Sequence, residues 1–74
     1  MKFEVKNNKI YRKGKEIRPN TNGTDGKVVQ GTSTCGLWFD AETESESFRV
    51  YKKDLLKLTR NAHEIFFSYC HNAI

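Results

Sequence analysis

Apolar residues near the start of the chain stand apart among charged ones: Phe3, Val5, Ile10 and Ile17 are separated by lysine, arginine, glutamate and asparagine. Apolar residues at every second position are the mark of a strand with one buried face. Two turn signals lie inside this stretch, Asn7-Asn8 and Lys13-Gly14. A two-residue hairpin at Asn7-Asn8 sets Val5 opposite Ile10, Glu4 opposite Tyr11 and Phe3 opposite Arg12. A second at Lys13-Gly14 sets Tyr11 opposite Glu16 and Ile10 opposite Ile17. The two turns agree: both put Val5, Ile10 and Ile17 on one face with Phe3 beside them, which predicts a β-meander over residues 1–18.

Pro19 closes that meander, and Asn20–Gly26 ("NTNGTDG") contains only turn formers, so residues 19–26 read as a flexible loop. Further strands follow over residues 27–51. Val28-Val29 begins one, Gly31–Gly36 is a linker, Leu37-Trp38-Phe39 is a short buried strand, and Phe48-Arg49-Val50 alternates as a strand does. Between the last two lies an acidic loop, residues 40–47. The remainder, residues 52–71, is expected to be one helix. At 100° per residue from Leu55, the side chains of Leu58, Ala62, Ile65, Phe66 and Tyr69 stay within about 80° of it. Leu56, His63 and Phe67, with Cys70 nearby, fall about 80–120° round and widen the apolar arc to roughly 200°. That flank is either covered by the Gly31–Phe39 segment or is a partner-binding patch for another protein or, through the helix, for a second copy of the chain. The wheel holds only if Thr59-Arg60-Asn61 does not break the helix. The expected fold is therefore a single α+β domain, a small antiparallel sheet of four to five strands with one long C-terminal helix packed on it.

At 74 residues the core is small, which argues against a deep small-molecule pocket and against an enzyme. Charge is blocked along the chain. Residues 1–18 hold seven bases and two acids, Asp40 to Glu46 four acids and no base, and Arg49 to Arg60 five bases and Asp54. Such a layout steers anionic partners. No basic-then-apolar leader and no membrane-length apolar run is seen, so a cytoplasmic protein with reduced Cys35 and Cys70 is expected.

Candidate chemistry narrows quickly. Cys35, His63, Cys70 and His71 are zinc-ligand types without zinc spacing, since adjacent Cys70 and His71 diverge by about 100° on a helix. No metal or cofactor is expected. Cys35 has no base placed near it, and Glu42, Glu44 and Glu46 would repel on one extended face rather than form an acid–base pair. Gly23-x-x-Gly26 followed by Lys27 lacks the spacing of a phosphate-binding P-loop. The basic hairpin remains. Lys9, Arg12, Lys13, Lys15 and Arg18 are placed to meet phosphates, and Tyr11 amid them to stack on a base, while Glu4 and Glu16 flank it. A two-stranded ribbon also fits a DNA major groove, which favours DNA over RNA.

The words "KIYRKGKEIRPNTNG", "KVV" and "FRVYKKDLLKL" together resemble the β-hairpin-rich segment beside the nuclease motif of phage-type HNH endonucleases. The resemblance covers about residues 9–58 and lacks the histidine-bearing nuclease motif, so it implies a DNA-contacting accessory role and no nuclease activity. The lysine- and asparagine-rich style also looks like that of early phage proteins that bind a host enzyme. The leading expectation is a non-enzymatic nucleic-acid-binding module. The alternative is a regulator or inhibitor of a host protein, acting through Leu56, His63 and Phe67 and the basic surface.

Overall fold

The computed structural model describes residues 2–71, so position 1 of the expected meander lies outside the described residues. β1 (Glu4–Lys6), β2 (Lys9–Arg12) and β3 (Lys15–Glu16) form an antiparallel meander in the expected register, with Val5 opposite Ile10, Glu4 opposite Tyr11 and Tyr11 opposite Glu16. Each connection carries two residues at positive φ, Asn7 and Asn8 at 51° and 62°, then Lys13 and Gly14 at 54° and 79°. Turns of this kind match the right-handed twist of the strands they join, and asparagine and glycine adopt them most easily. Phe3, Ile10 and Ile17 are buried, and Val5 packs against them.

Pro19 does not end the sheet structure as expected. The extended segment of β3 runs on through Ile17 into β4 (Arg18–Pro19), which pairs with a different strand. Proline is tolerated there because Asn20, not Pro19, donates its N–H to Asp40 of the neighbouring strand, at 2.9 Å. Pro19 therefore sits where the missing N–H would point away from the ladder. The loop that follows is organised around Thr24, whose N–H and hydroxyl both reach the Thr21 carbonyl, at 3.2 and 2.7 Å.

The second sheet is built on β6 (Gly36–Glu42). One edge of β6 is paired by β5 (Gln30–Ser33) along its first half and by β4 at its end, and the other edge by β7 (Ser47–Tyr51). Among the described residues, seven strands in two sheets thus replace the expected four or five. The first half of the supposed Gly31–Gly36 linker belongs to β5, because a two-residue turn at Thr34-Cys35 folds the chain back on β6. Asp40 and Glu42 are strand residues too. The acidic connection shrinks to the residues between Glu42 and Ser47, with the Thr43 N–H donating to the Glu46 carbonyl at 2.9 Å.

The single helix over 52–71 is corrected to two, α1 (Lys52–Leu56) and α2 (Ala62–His71). The break falls at Thr59-Arg60-Asn61. The Thr59 N–H still reaches the Leu55 carbonyl at 3.1 Å, but the Thr59 hydroxyl then accepts the Asn61 N–H at 3.3 Å. A short hydroxyl side chain offers the backbone an alternative to the helical bond. Leu55, Ala62, Ile65 and Phe66 are buried as their shared face requires, whereas Leu58, beside the break, is 46% exposed. Among the described residues no helix is long and apolar enough to cross a membrane.

The two sheets and α2 meet at one point. The Ile17 N–H donates to the Ile10 carbonyl at 3.1 Å, and a regular ladder would return the Ile10 N–H to Ile17. Because the chain turns away into β4, the Ile10 N–H donates instead to the Tyr69 hydroxyl of α2, at 2.8 Å. The Tyr69 ring stacks on Phe39 of β6 at 5.7 Å, and Phe66 meets the same ring edge-on at 5.2 Å. Tyr69→Phe keeps this packing but strands the Ile10 N–H. It is expected to cost about 1–3 kcal/mol in urea unfolding and to speed hydrogen exchange at Ile10. Burial raises the Tyr69 hydroxyl above its ordinary value of 10.0. A raised value favours the folded state below 10.0, and that contribution is lost as pH rises through the folded-state value, so the alkaline loss should be shallower in Tyr69→Phe.

Candidate nucleic-acid interface

The hairpin residues expected to meet nucleic acid do not share one face. Arg12 is withdrawn: its guanidinium donates to Glu46 from Nε at 3.2 Å and from Nη2 at 3.0 Å. It also lies 5.1 Å from the centroid of the Phe48 ring, and its side chain is only 13% exposed. The Arg12 hydrogen bond, aided by the charges of Arg12, Lys13 and Lys15, holds the Glu46 carboxyl below the usual carboxylate range. Lys9 lies 3.4 Å from Glu16, and Arg18 lies 3.7 Å from Glu42. Tyr11 is half-buried between its strand partners Glu4 and Glu16. Lys13, 72% exposed, only approaches Glu46 at 4.0 Å. Lys15 is exposed, and no carboxylate of the described residues pairs with it. The Lys9–Glu16 pair, exposed on both sides, is weak and opens readily to a phosphate, whereas Arg18 is held by a Glu42 side chain that is only 18% exposed. The two-pronged Arg12–Glu46 pair is not released without leaving Glu46 uncompensated.

Lys9 and Arg18 turn toward a 390 Å³ cleft between the first hairpin and α2, with Asn7, Pro19, Ser68 and Tyr69 among its walls. The two basic blocks of the sequence meet on other surfaces. A cleft of 550 Å³ is lined by Lys2, Phe3, Glu4, Arg12 and Lys13, and one of 180 Å³ by Lys2, Phe3, Asp54, Lys57 and Leu58. Both share Lys2 and Phe3 and so adjoin there, a two-part groove with the second hairpin turn at one end and the end of α1 at the other. Its floor is the Phe3 ring, fixed against Phe48 at 5.8 Å. Lys2 and Lys57 are exposed and, among the described residues, form no ion pair. With Arg12 and Glu46 paired off, Lys2, Lys13 and Lys57 outnumber Glu4 and Asp54 along the groove.

Lys2, Phe3, Lys57 and Leu58 are not among the site residues expected from the sequence, where Phe3 and Leu58 belong to apolar faces. The charge blocks were visible, but residues 2 and 57 are brought together by the docking of α1, which no local pattern encodes. The helix flank is divided by the same docking. His63 and Phe67 of α2 do meet, with ring centroids 4.7 Å apart, and Phe67 rests half-buried against Phe66. The Lys52 ammonium is 3.0 Å from Nδ1 of His63 and 5.7 Å from the Phe67 centroid. Leu56 stands on α1, 57% exposed, and the Gly31–Phe39 segment named as a cover is part of the second sheet. Cys35 lies exposed at a hairpin tip, and burial raises the thiol of Cys70. Among the described residues no three histidine, cysteine or carboxylate side chains cluster as metal ligands would.

Comparison with known proteins gives no match to a family model, to a curated protein or to a solved structure.

A depressed carboxyl favours the folded state above its unfolded value, and that contribution is lost as pH falls through the folded-state value. Glu46→Gln should therefore lower stability at neutral pH and flatten the decline on acidification, followed by thermal unfolding between neutral pH and the carboxylate range.

Proposed function

We propose that the chain is a small non-enzymatic nucleic-acid-binding module that holds a phosphate backbone, DNA in preference to RNA, along the groove between the second hairpin turn and α1. The observation that carries this reading is the convergence of Lys2, Lys13 and Lys57, from three separate parts of the chain, on one apolar-floored groove. Each exposed ammonium neutralises a phosphate and releases a condensed counterion, which is the main source of affinity in such contacts. Lys15 extends the basic border beyond the turn, whereas Lys9 and Arg18 face the separate cleft beside α2. Arg12 acts on the fold rather than on the ligand. The resemblance to the DNA-contacting segment of HNH-type endonucleases supports the same reading, and phosphate contacts of this kind position a protein without reading sequence. An exposed free thiol at Cys35 suits a reducing, cytoplasmic setting. A host-protein partner on the helix flank has weaker support, because Leu56 and the His63–Phe67 pair belong to different helices.

Anisotropy of a labelled DNA duplex at about 50 and 200 mM salt tests the reading. Affinity should fall steeply with salt. Lys2→Gln, Lys13→Gln and Lys57→Gln should each weaken binding and reduce the slope of log K against log salt by about 0.9. Absence of binding at the lower salt, or slopes unchanged in all three variants, would refute the proposal.

A further inference from the structure

β5 is an edge strand without the usual protection. Along the edges of small sheets, charged side chains, proline or bulges normally discourage pairing with another chain. β1, at the edge of the first sheet, carries Glu4 and Lys6. From Val28 to Phe39, by contrast, the chain holds no charged residue and no proline. The register fixes which backbone groups are available. Ser33 closes the two-residue turn against Gly36, and the Val29 carbonyl accepts the Asp40 N–H at 2.9 Å. Val29, Gly31 and Ser33 therefore point their backbone groups at β6, and Gln30 and Thr32 point theirs outward. Among the described residues β5 pairs only with β6.

The outer face of the same edge carries an aromatic side chain. Trp38 lies over Gly31 so closely that a Cβ at position 31 would stand 2.7 Å from its Cζ2. The Arg49 guanidinium covers the indole at 3.6 Å and donates from Nε to Asp40 at 3.2 Å. The indole is thus clamped over the edge strand, in the space that Gly31 leaves open.

We propose that a second copy of this chain adds to β5, antiparallel, about a two-fold axis at Gly31. Gln30 of each copy then faces Thr32 of the other, and their outward N–H and C=O groups complete one continuous six-stranded sheet core, β7-β6-β5 joined to its symmetry mate. The two Gly31 residues meet on the axis, which brings the two Trp38 indoles side by side over the join. Val29, 38% exposed, lies opposite Ser33. The uncharged run is what selects a second copy as occupant. Two-fold pairing sets each residue near its own kind, so a charged edge would repel itself, and this one does not.

Sedimentation velocity over a range of protein concentrations, with Trp38 emission recorded in parallel, tests the proposal. The wild-type chain should pass from monomer to dimer as concentration rises, with a blue shift of its single tryptophan. Thr32→Pro removes an outward N–H and no bond to β6, and Gln30→Lys with Thr32→Lys sets four ammoniums around the axis. Both variants should stay monomeric with the far-ultraviolet circular dichroism of the wild type; if the proline variant fails to fold, the double-lysine variant decides. A wild-type chain that is monomeric throughout, including one that takes up only foreign extended peptides, overturns the proposal. So does a dimer that survives in the folded variants.

Discussion

The single hydrogen bond from the Ile10 N–H to the Tyr69 hydroxyl is the constraint on which the architecture turns. A strand that serves two sheets must abandon one of them part-way, and the first sheet is then left with an unanswered donor inside the core. An unpaired buried N–H would be costly. Tyr69 answers it from the far end of the chain while its ring lies on Phe39, so one side chain satisfies the first sheet and packs on the second. The helix break follows in consequence. α2 must reach the bend at Ile17 with its last turns, and α1 must bury Leu55 beneath β6 and β7. The interruption at Thr59 lets the two short helices meet these demands separately.

Acidic side chains decide where the basic surplus can act. Glu46, Glu42, Glu16 and Asp40 each hold an arginine or lysine, and three of those four cations come from the hairpin that looks most basic in the sequence. Among the cations outside these pairs, Lys2 lies at the margin of the first sheet, Lys13 on the second hairpin turn and Lys57 just past the end of α1. Net charge is read from composition, but usable charge is what remains after the fold has made its own pairs. Here the two quantities point to different surfaces.

Much of the first sheet was legible because two-residue turns leave no freedom of register: once Asn7-Asn8 and Lys13-Gly14 are turns, every partner and the buried face follow. The face of α2 was legible from its period for the same reason. The second sheet was not. β5 is Gln-Gly-Thr-Ser, without a branched aliphatic or aromatic residue, and is a strand only because β6 lies beside it. The helix was over-extended because its apolar period runs unbroken through Thr59, whose hydroxyl overrules it locally. The groove was hidden for a different reason. It depends on which surface α1 docks against, a tertiary outcome that local spacing does not carry.

Lys13 occupies the second hairpin turn at φ 54°, where asparagine or glycine would sit more comfortably by about 1 kcal/mol. The choice has a directional consequence. A residue fixed in the left-handed region between two paired strands has its Cα–Cβ bond aimed by the backbone, so only the flexible stem beyond it is left to search. The ammonium sweeps a cone at the mouth of the groove instead of a hemisphere of solvent. Local strain in the turn thus becomes a narrowed range of motion for a hairpin charge whose side chain is 72% exposed.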